Sequence, residues 1–182
     1  MIKKIQEILE NNQFICSSPL DETSSFSEKL EIILGPDHKG RELIMEIIAA
    51  QQLIPPQYTH ANSPEHPQQV QFWVELPFDV KDVALNQMSN LLHFLNQMIE
   101  LPGFELDELN GKVIYRYVWI THAKMIDDPL IMGITGAILL TLNLLEGTIE
   151  SLAEGEVSFN DLLSQIVQLT KDPSAGHKFP FG

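Results

Sequence analysis

Apolar residues recur along this 182-residue chain with two periods, and the places where the period changes mark out its elements. Ile2, Ile5, Ile8 and Leu9 have helical spacing, which predicts a short amphipathic helix over residues 2–11. Residues 16–27, rich in Ser with Pro19, Asp21 and Glu22, read as a loop. Strict alternation follows over 29–34 and 41–50, on either side of Gly35-Pro36-Asp37-His38-Lys39-Gly40, which is the pattern of a hairpin with a longer loop. Four prolines make residues 54–68 a surface loop. A third strand spans 70–76 and is expected to end at Pro77. A helix over 82–99 presents Ala84, Met88, Leu91, Leu92, Leu95, Met98 and Ile99 on one face, and Pro102-Gly103 closes it.

Strands over 104–107 and 112–121 flank Asn110-Gly111, the strongest short hairpin signal in the chain. A long helix is expected over 129–153, with Asp128 as N-cap, Pro129 at its first position and Gly155 at its stop. Ser158-x-x-Asp161 opens a last helix over 159–170, and residues 171–182 form a tail without periodicity. The order α-β-β-β-α-β-β-α-α predicts a single α+β domain over 1–170. Its architecture is a two-layer sandwich of an antiparallel five-stranded sheet with helices mainly on one face.

Composition narrows the class of function. With 25 Asp and Glu against 11 Lys and Arg the net charge is −14, which repels phosphate backbones and argues against nucleic acid. A single cysteine, Cys16, excludes an intrachain disulfide and fits a reducing, cytoplasmic setting. Charge returns at Glu7 before any apolar run, so no secretory signal is expected. Residues 129–145 carry no charge, but 17 residues at about 1.5 Å each fall short of a hydrocarbon core near 30 Å. Acids also flank the run, so a buried helix of a soluble protein is expected and no membrane partner.

Reactive chemistry is hard to find. His60 and His66 lie in the proline-rich loop without a second ligand pair, so no metal is expected, and no cofactor fingerprint occurs. His93 reads as a rim or core histidine of its helix, and His38 and His177 have no visible partners. Glu105, Asp107 and His122 are the best acid–base cluster, although alternating acids also keep an edge strand soluble. No basic residue stands near Cys16 to activate its thiol. The chain is therefore not expected to be an enzyme.

Two surfaces stand out instead. The sheet has apolar residues on both faces, and if helices cover one, the other keeps Ile44, Ile48, Trp73, Val118 and Ile120 around Arg116 as a partner-binding patch. A terminal helix folded over it would remove that patch. The second surface comes from residues 125–170, which hold seven acids and no Lys or Arg. Glu146, Glu150 and Glu154 stack at i, i+4 there, either as a solvated face or as a surface for a basic partner. Gly133 and Ala137 in the same helix form a small-xxx-small pair, whose ordinary use in a soluble helix is packing on a sheet.

The segments Val70-Gln-Phe-Trp-Val-Glu-Leu-Pro-Phe-Asp-Val80, Leu91–Pro102 and Gly103–Val118, with the long helix after them, resemble the YbjN-like family over about residues 28–153. That family is similar in fold to the class I chaperones of type III secretion. The resemblance implies an acidic, cytoplasmic, often homodimeric sandwich, whose chaperone members hold an extended segment of a client protein. It implies no catalytic residue, and the 158–170 helix and tail depart from the compact chaperone pattern. The expected function is a non-enzymatic, chaperone-like protein-binding module. The alternative is a small-molecule-binding regulator with a pocket between sheet and long helix, lined by Tyr115, Tyr117 or Trp119.

Overall fold

A computed structural model describes residues 1–17, 27–51 and 68–171, and the proline-rich loop before residue 68 and the tail from 172 lie outside what it describes. Helix α1 (Ile2–Asn11) is followed by strands β1 (Ile15–Ser17), β2 (Ser27–Pro36), β3 (Glu42–Gln51) and β4 (Gln68–Asp79). Helix α2 (Leu85–Met98), the hairpin β5 (Phe104–Asp107) and β6 (Lys112–Thr121), and helices α3 (Asp128–Ala153) and α4 (Phe159–Lys171) complete the chain. The six strands form one sheet in the order β1-β2-β3-β4-β6-β5, and every pair is antiparallel. The α+β class and antiparallel sheet are as expected, but the sheet has six strands rather than five.

The extra strand is Ile15–Ser17, which pairs with Ile33, Ile32 and Glu31 of β2. Three residues are too few to show a period, so the segment reads as loop in sequence. Residues 104–107 and 112–121 form strands as expected. Strand β4, by contrast, runs three residues past Leu76. Its pairing with β6 shifts between Glu75 and Asp79, and the missing N–H of Pro77 falls in that irregular stretch, where no ladder bond is lost.

Among the described residues, all four helices lie to one side of the sheet and leave its other face uncovered. Helix α1 packs Ile2, Ile5, Ile8 and Leu9 against the β1 side, α2 lies on β5, and α3 crosses β4 between them. Alternate residues of the strands (Leu30, Ile32, Met45, Ile47, Phe72, Val74 and Tyr115) meet the helices in one core. Helix α4 docks outside α2, with Phe159 edge-on to Phe94 at 6.3 Å, and touches the helical layer rather than the sheet. Neither terminal helix folds over the opposite face.

Helix α3 is held at its start by Asp127, whose side chain accepts the Leu130 N–H, so the cap sits one residue before the expected Asp128. It is the one helix among the described residues long and apolar enough to cross a membrane, with mean hydropathy 1.7 over its most apolar stretch. Ile131, Ile138, Leu142, Leu145 and Ile149 of its inner side are buried on the sheet. Only 39% of that stretch is buried, however, and its outer side stays apolar. Gly133 and Gly136 are exposed there, and a methyl group added to either would meet nothing within 4 Å. Gly133 of the expected small-xxx-small pair is therefore not packed on the sheet, contrary to expectation, while its partner Ala137 is half-buried.

Candidate functional site

The register of the ladders fixes what the open face carries. Lys29 faces Ile48 and Glu31 faces Glu46 across β2 and β3. Ile48 faces Gln71 and Glu46 faces Trp73 across β3 and β4. Trp73 then faces Arg116, Gln71 faces Val118 and Gln69 faces Ile120. Because side chains alternate with period two, these residues share one face. Ile44, Ile48, Trp73, Arg116, Val118 and Ile120 are thus brought together on it, and none is buried. Ile44 is 42% exposed and Ile120 54%, and the other four are half-buried. Ile15 and Ile33 extend the row beyond Ile44. Sequence reading missed that extension because β1 itself was missed.

Charge on this face is paired but unbalanced. Lys29 Nζ lies 2.9 Å from Glu46 and 3.5 Å from Glu31. Arg116 donates through Nε to both oxygens of Glu105, at 2.9 and 3.0 Å. Beside that pair is an open hollow of about 630 Å³, lined by Gln69, Asn96, Pro102, Gly103, Glu105 and Arg116 among others. Its rim is the turn between α2 and β5. Asn96 fastens it by accepting the N–H groups of Gly103 and Phe104 while donating to the Phe104 carbonyl. Gly103 is needed there, since a Cβ would come within 2.6 Å of the Arg116 carbonyl oxygen.

The pocket expected between sheet and long helix is not formed by the aromatic residues proposed for it. Tyr115 is fully buried, donates its hydroxyl to the Leu101 carbonyl and meets Phe104 edge-on at 5.1 Å. Burial, with Tyr117 nearby, pushes its hydroxyl pKa up to about 12. Tyr117 and Trp119 pack against the core from the helix side. The hollow lies on the other face.

The acid–base cluster is also dispersed. Glu105 and Asp107 pair with Ile114 and Lys112 at one end of β6, whereas His122 follows its last residue at the other. Eight to ten residues of strand separate them, roughly 27–34 Å at about 3.4 Å each. Glu105 is engaged by Arg116. Asp107 accepts the N–H groups of Leu109 and Asn110 in the hairpin turn, with the Asn110 amide the first cause of its lowered pKa. No shared cleft joins the three among the described residues. His93 is exposed on α2, with Gln97 3.0 Å away.

The acidic stack on α3 is drawn onto the chain's own turn, although one oxygen of Glu146, Oε2, is buried and meets no hydrogen-bond donor among the described residues. Glu146 and Glu150 are 3% and 1% exposed, because the β2–β3 turn folds onto them. Arg41 donates Nη1 and Nη2 to the two oxygens of Glu150 at 2.8 and 2.7 Å, and Nε to Asp37 at 2.6 Å. Lys39 Nζ bridges Glu150 and Glu154 at 3.0 and 2.9 Å. His38 gives its backbone N–H to Glu146, and its ring lies 3.1 Å from Glu150. Burial alone would raise the carboxyls of Asp37 and Glu150, but the donors around them hold both below the usual range. The basic partner of the acidic helix is the chain's own turn, about 110 residues away in sequence, a distance no local pattern reveals.

Donor atoms of Asp37, His38 and Glu150 lie within 4.8 Å of one another, close enough to share a metal ion. The positive charge such an ion would bring is already supplied by Arg41 and Lys39, and both oxygens of Glu150 are engaged. His60 and His66, the metal candidates of the sequence, and His177 lie outside the described residues.

Compared with protein-family models and with curated proteins, the chain matches none.

Proposed function

We propose that the protein is a non-enzymatic, chaperone-like binding module that holds a segment of a partner polypeptide on the open face of its sheet. The observation that carries this reading is the open sheet face itself, where Ile44, Ile48, Trp73, Val118 and Ile120 surround Arg116 with no helix among the described residues above them. Exposed apolar patches of this kind mark interaction surfaces. Glu31, Glu46, Glu75, Asp79 and Glu105 outnumber Lys29, Lys112 and Arg116 there, which favours a client carrying basic residues among apolar ones. The edges favour face binding over strand addition. Strands β1 and β5 have three and four residues, and so offer an extended client only a short ladder. A cytoplasmic protein of the YbjN-like type, with clients held as the type III secretion chaperones hold theirs, is the family reading consistent with this surface.

The test is capture from the native cell with the wild-type chain, Trp73→Glu and Val118→Glu, using Lys81→Glu as a control remote from the face. A defined polypeptide retained by the wild type and the control but lost by both face variants supports the reading. Equal retention by all four sinks it. A second reading, a small-molecule regulator, is favoured by the hollow beside Arg116 and Glu105. A ligand whose binding is lost in Arg116→Ala, with no polypeptide captured, would select it.

A further inference from the structure

We infer that the β2–β3 turn and α3 together bind a divalent transition-metal ion of the zinc type, with His38 Nδ1 and the Glu146 carboxylate as its ligands. This inference is independent of the sheet-face reading, because the turn folds onto α3, in the opposite layer.

Charge around the turn does not balance. Asp37, Glu146, Glu150 and Glu154 bring four negative charges to it, and Arg41 and Lys39 return two. Both of those cations go to Asp37, Glu150 and Glu154. Among the described residues Glu146 has only the ring of His38 beside it, although its side chain keeps just 4% of its surface. Its Oε1 accepts the His38 backbone N–H at 2.8 Å, while Oε2 is buried without a hydrogen-bond partner. A carboxylate buried in that state is costly unless a cation or a donor reaches it.

The imidazole beside Glu146 is set as a metal-bound histidine is set. Its Nε2 lies 3.1 Å from Glu150 Oε2. A carboxylate at one ring nitrogen fixes the hydrogen there and leaves a lone pair on the other. That other nitrogen, Nδ1, is 3.4 Å from Glu146 Oε1. Two ligands held tetrahedrally at about 2.0–2.1 Å stand about 3.3 Å apart, so one ion reaches both with little movement. The ring rests on α3 where residue 147 is glycine, and a Cβ there would lie 3.9 Å from its Cδ2, Cε1 and Nε2. Its 38% exposure gives an ion a way in.

The donors select the ion. An imidazole nitrogen with carboxylate oxygens suits zinc, nickel or copper, whereas calcium and magnesium take sets made of oxygen alone. Asp37 and Glu150 stay with Arg41, and Glu150 acts on the ion only through the ring. Two protein residues leave the other positions to water, so the site is weaker than a closed structural zinc site. The ion would tie residue 38 to a residue 108 places further along, beside the Arg41–Glu150 pair that joins the same two elements.

Titration calorimetry of the full chain with Zn²⁺, and with Ca²⁺ and Mg²⁺ for comparison, tests this. One Zn²⁺ per chain is expected, bound at least about tenfold more tightly than either of the others. His38→Gln and Glu146→Gln should each weaken it about tenfold or more, with unchanged circular dichroism. His38→Gln keeps the backbone bond to Glu146 and so the seat of the turn. In imidazole ¹⁵N spectra Zn²⁺ should shift His38 Nδ1 and leave the hydrogen on Nε2. The double variant His60→Gln, His66→Gln should bind as wild type does. No Zn²⁺ uptake at about 1 mM overturns the inference. So does undiminished binding by His38→Gln, or Ca²⁺ bound as tightly as Zn²⁺, which would mean attraction by charge alone. Zinc lost from the double variant but kept by His38→Gln would overturn it too and move the metal to the proline-rich loop.

Discussion

Replacing Arg41 by alanine removes the one cation that serves two buried carboxylates together. Asp37 and Glu150 keep only 1% and 2% of their side-chain surface, while Arg41 keeps 33% of its own. Removing one partner of a buried pair costs about 3–5 kcal/mol, because the other charge is left in a poor solvent. Two features reduce this here. The guanidinium is partly solvated, which screens it, and Lys39 still reaches Glu150. We therefore expect a loss of about 2–3 kcal/mol, or roughly 4–12 °C in melting temperature for a domain of this size.

Calorimetry at pH 7, with urea unfolding to verify an unchanged slope, measures it. Lys39→Ala, at the exposed end of the network, should change little. The pH dependence gives a second reading with a definite sign. Asp37 and Glu150 are held below their ordinary values of 3.8 and 4.5, so their contribution is present above those values. It is lost as the pH falls through the lower, folded-state values, and the gap between wild type and Arg41→Ala should close there. An Arg41→Ala protein within about 0.5 kcal/mol of wild type at pH 7 would refute the reasoning, because that is the scatter of neutral surface changes. A gap that widens on acidification would refute it too.

Three further outcomes can be measured directly. Gly103→Ala forces a Cβ against the Arg116 carbonyl, which cannot move without disturbing the β5–β6 ladder, so a loss of about 1–3 kcal/mol is expected in urea unfolding. Tyr115→Phe leaves the Leu101 carbonyl without its buried donor and should cost about 1 kcal/mol by the same assay. Burial first, then Glu10, pushes the Cys16 thiol up, so its alkylation near pH 8 should be slower than that of free cysteine.

Where a residue's neighbours are local, the sequence was enough to find the element. The two-residue period gave β2, β3 and β6, the turn Asn110-Gly111 gave the β5–β6 hairpin, and Asp128-Pro129 announced α3 within one residue of its cap at Asp127. What escaped was decided at long range. Strand β1 exists because Ile32 of β2 offers a ladder to Cys16, and β4 continues past Pro77 because β6 accommodates a shift of register. The open-face residues were legible because alternation assigns faces wherever strands are recognised. The role of Glu146 and Glu150 was not, because the turn that buries them is separated from α3 by four strands and a helix.

The fate of the acidic helix also bears on where a partner can bind. Had Glu146, Glu150 and Glu154 been free, two surfaces of opposite character would compete for a client, a charged helix and a semi-apolar sheet. Arg41, Lys39 and His38 take up the first, and spend three of the chain's few basic side chains inside one copy. Lys29 and Arg116 are paired on the sheet in turn, with Glu46 and Glu105. The surplus of negative charge then falls on the remaining surface, including the margins of the open face. On the proposed reading, a basic client would be steered by that charge and meet apolar side chains only on arrival, so its on-rate should fall with salt while its dissociation follows the burial of Trp73 and Ile44. Association measured from low to high salt with Trp73→Ala separates the two terms. An on-rate indifferent to salt would mean that the acidity serves the fold and its solubility alone.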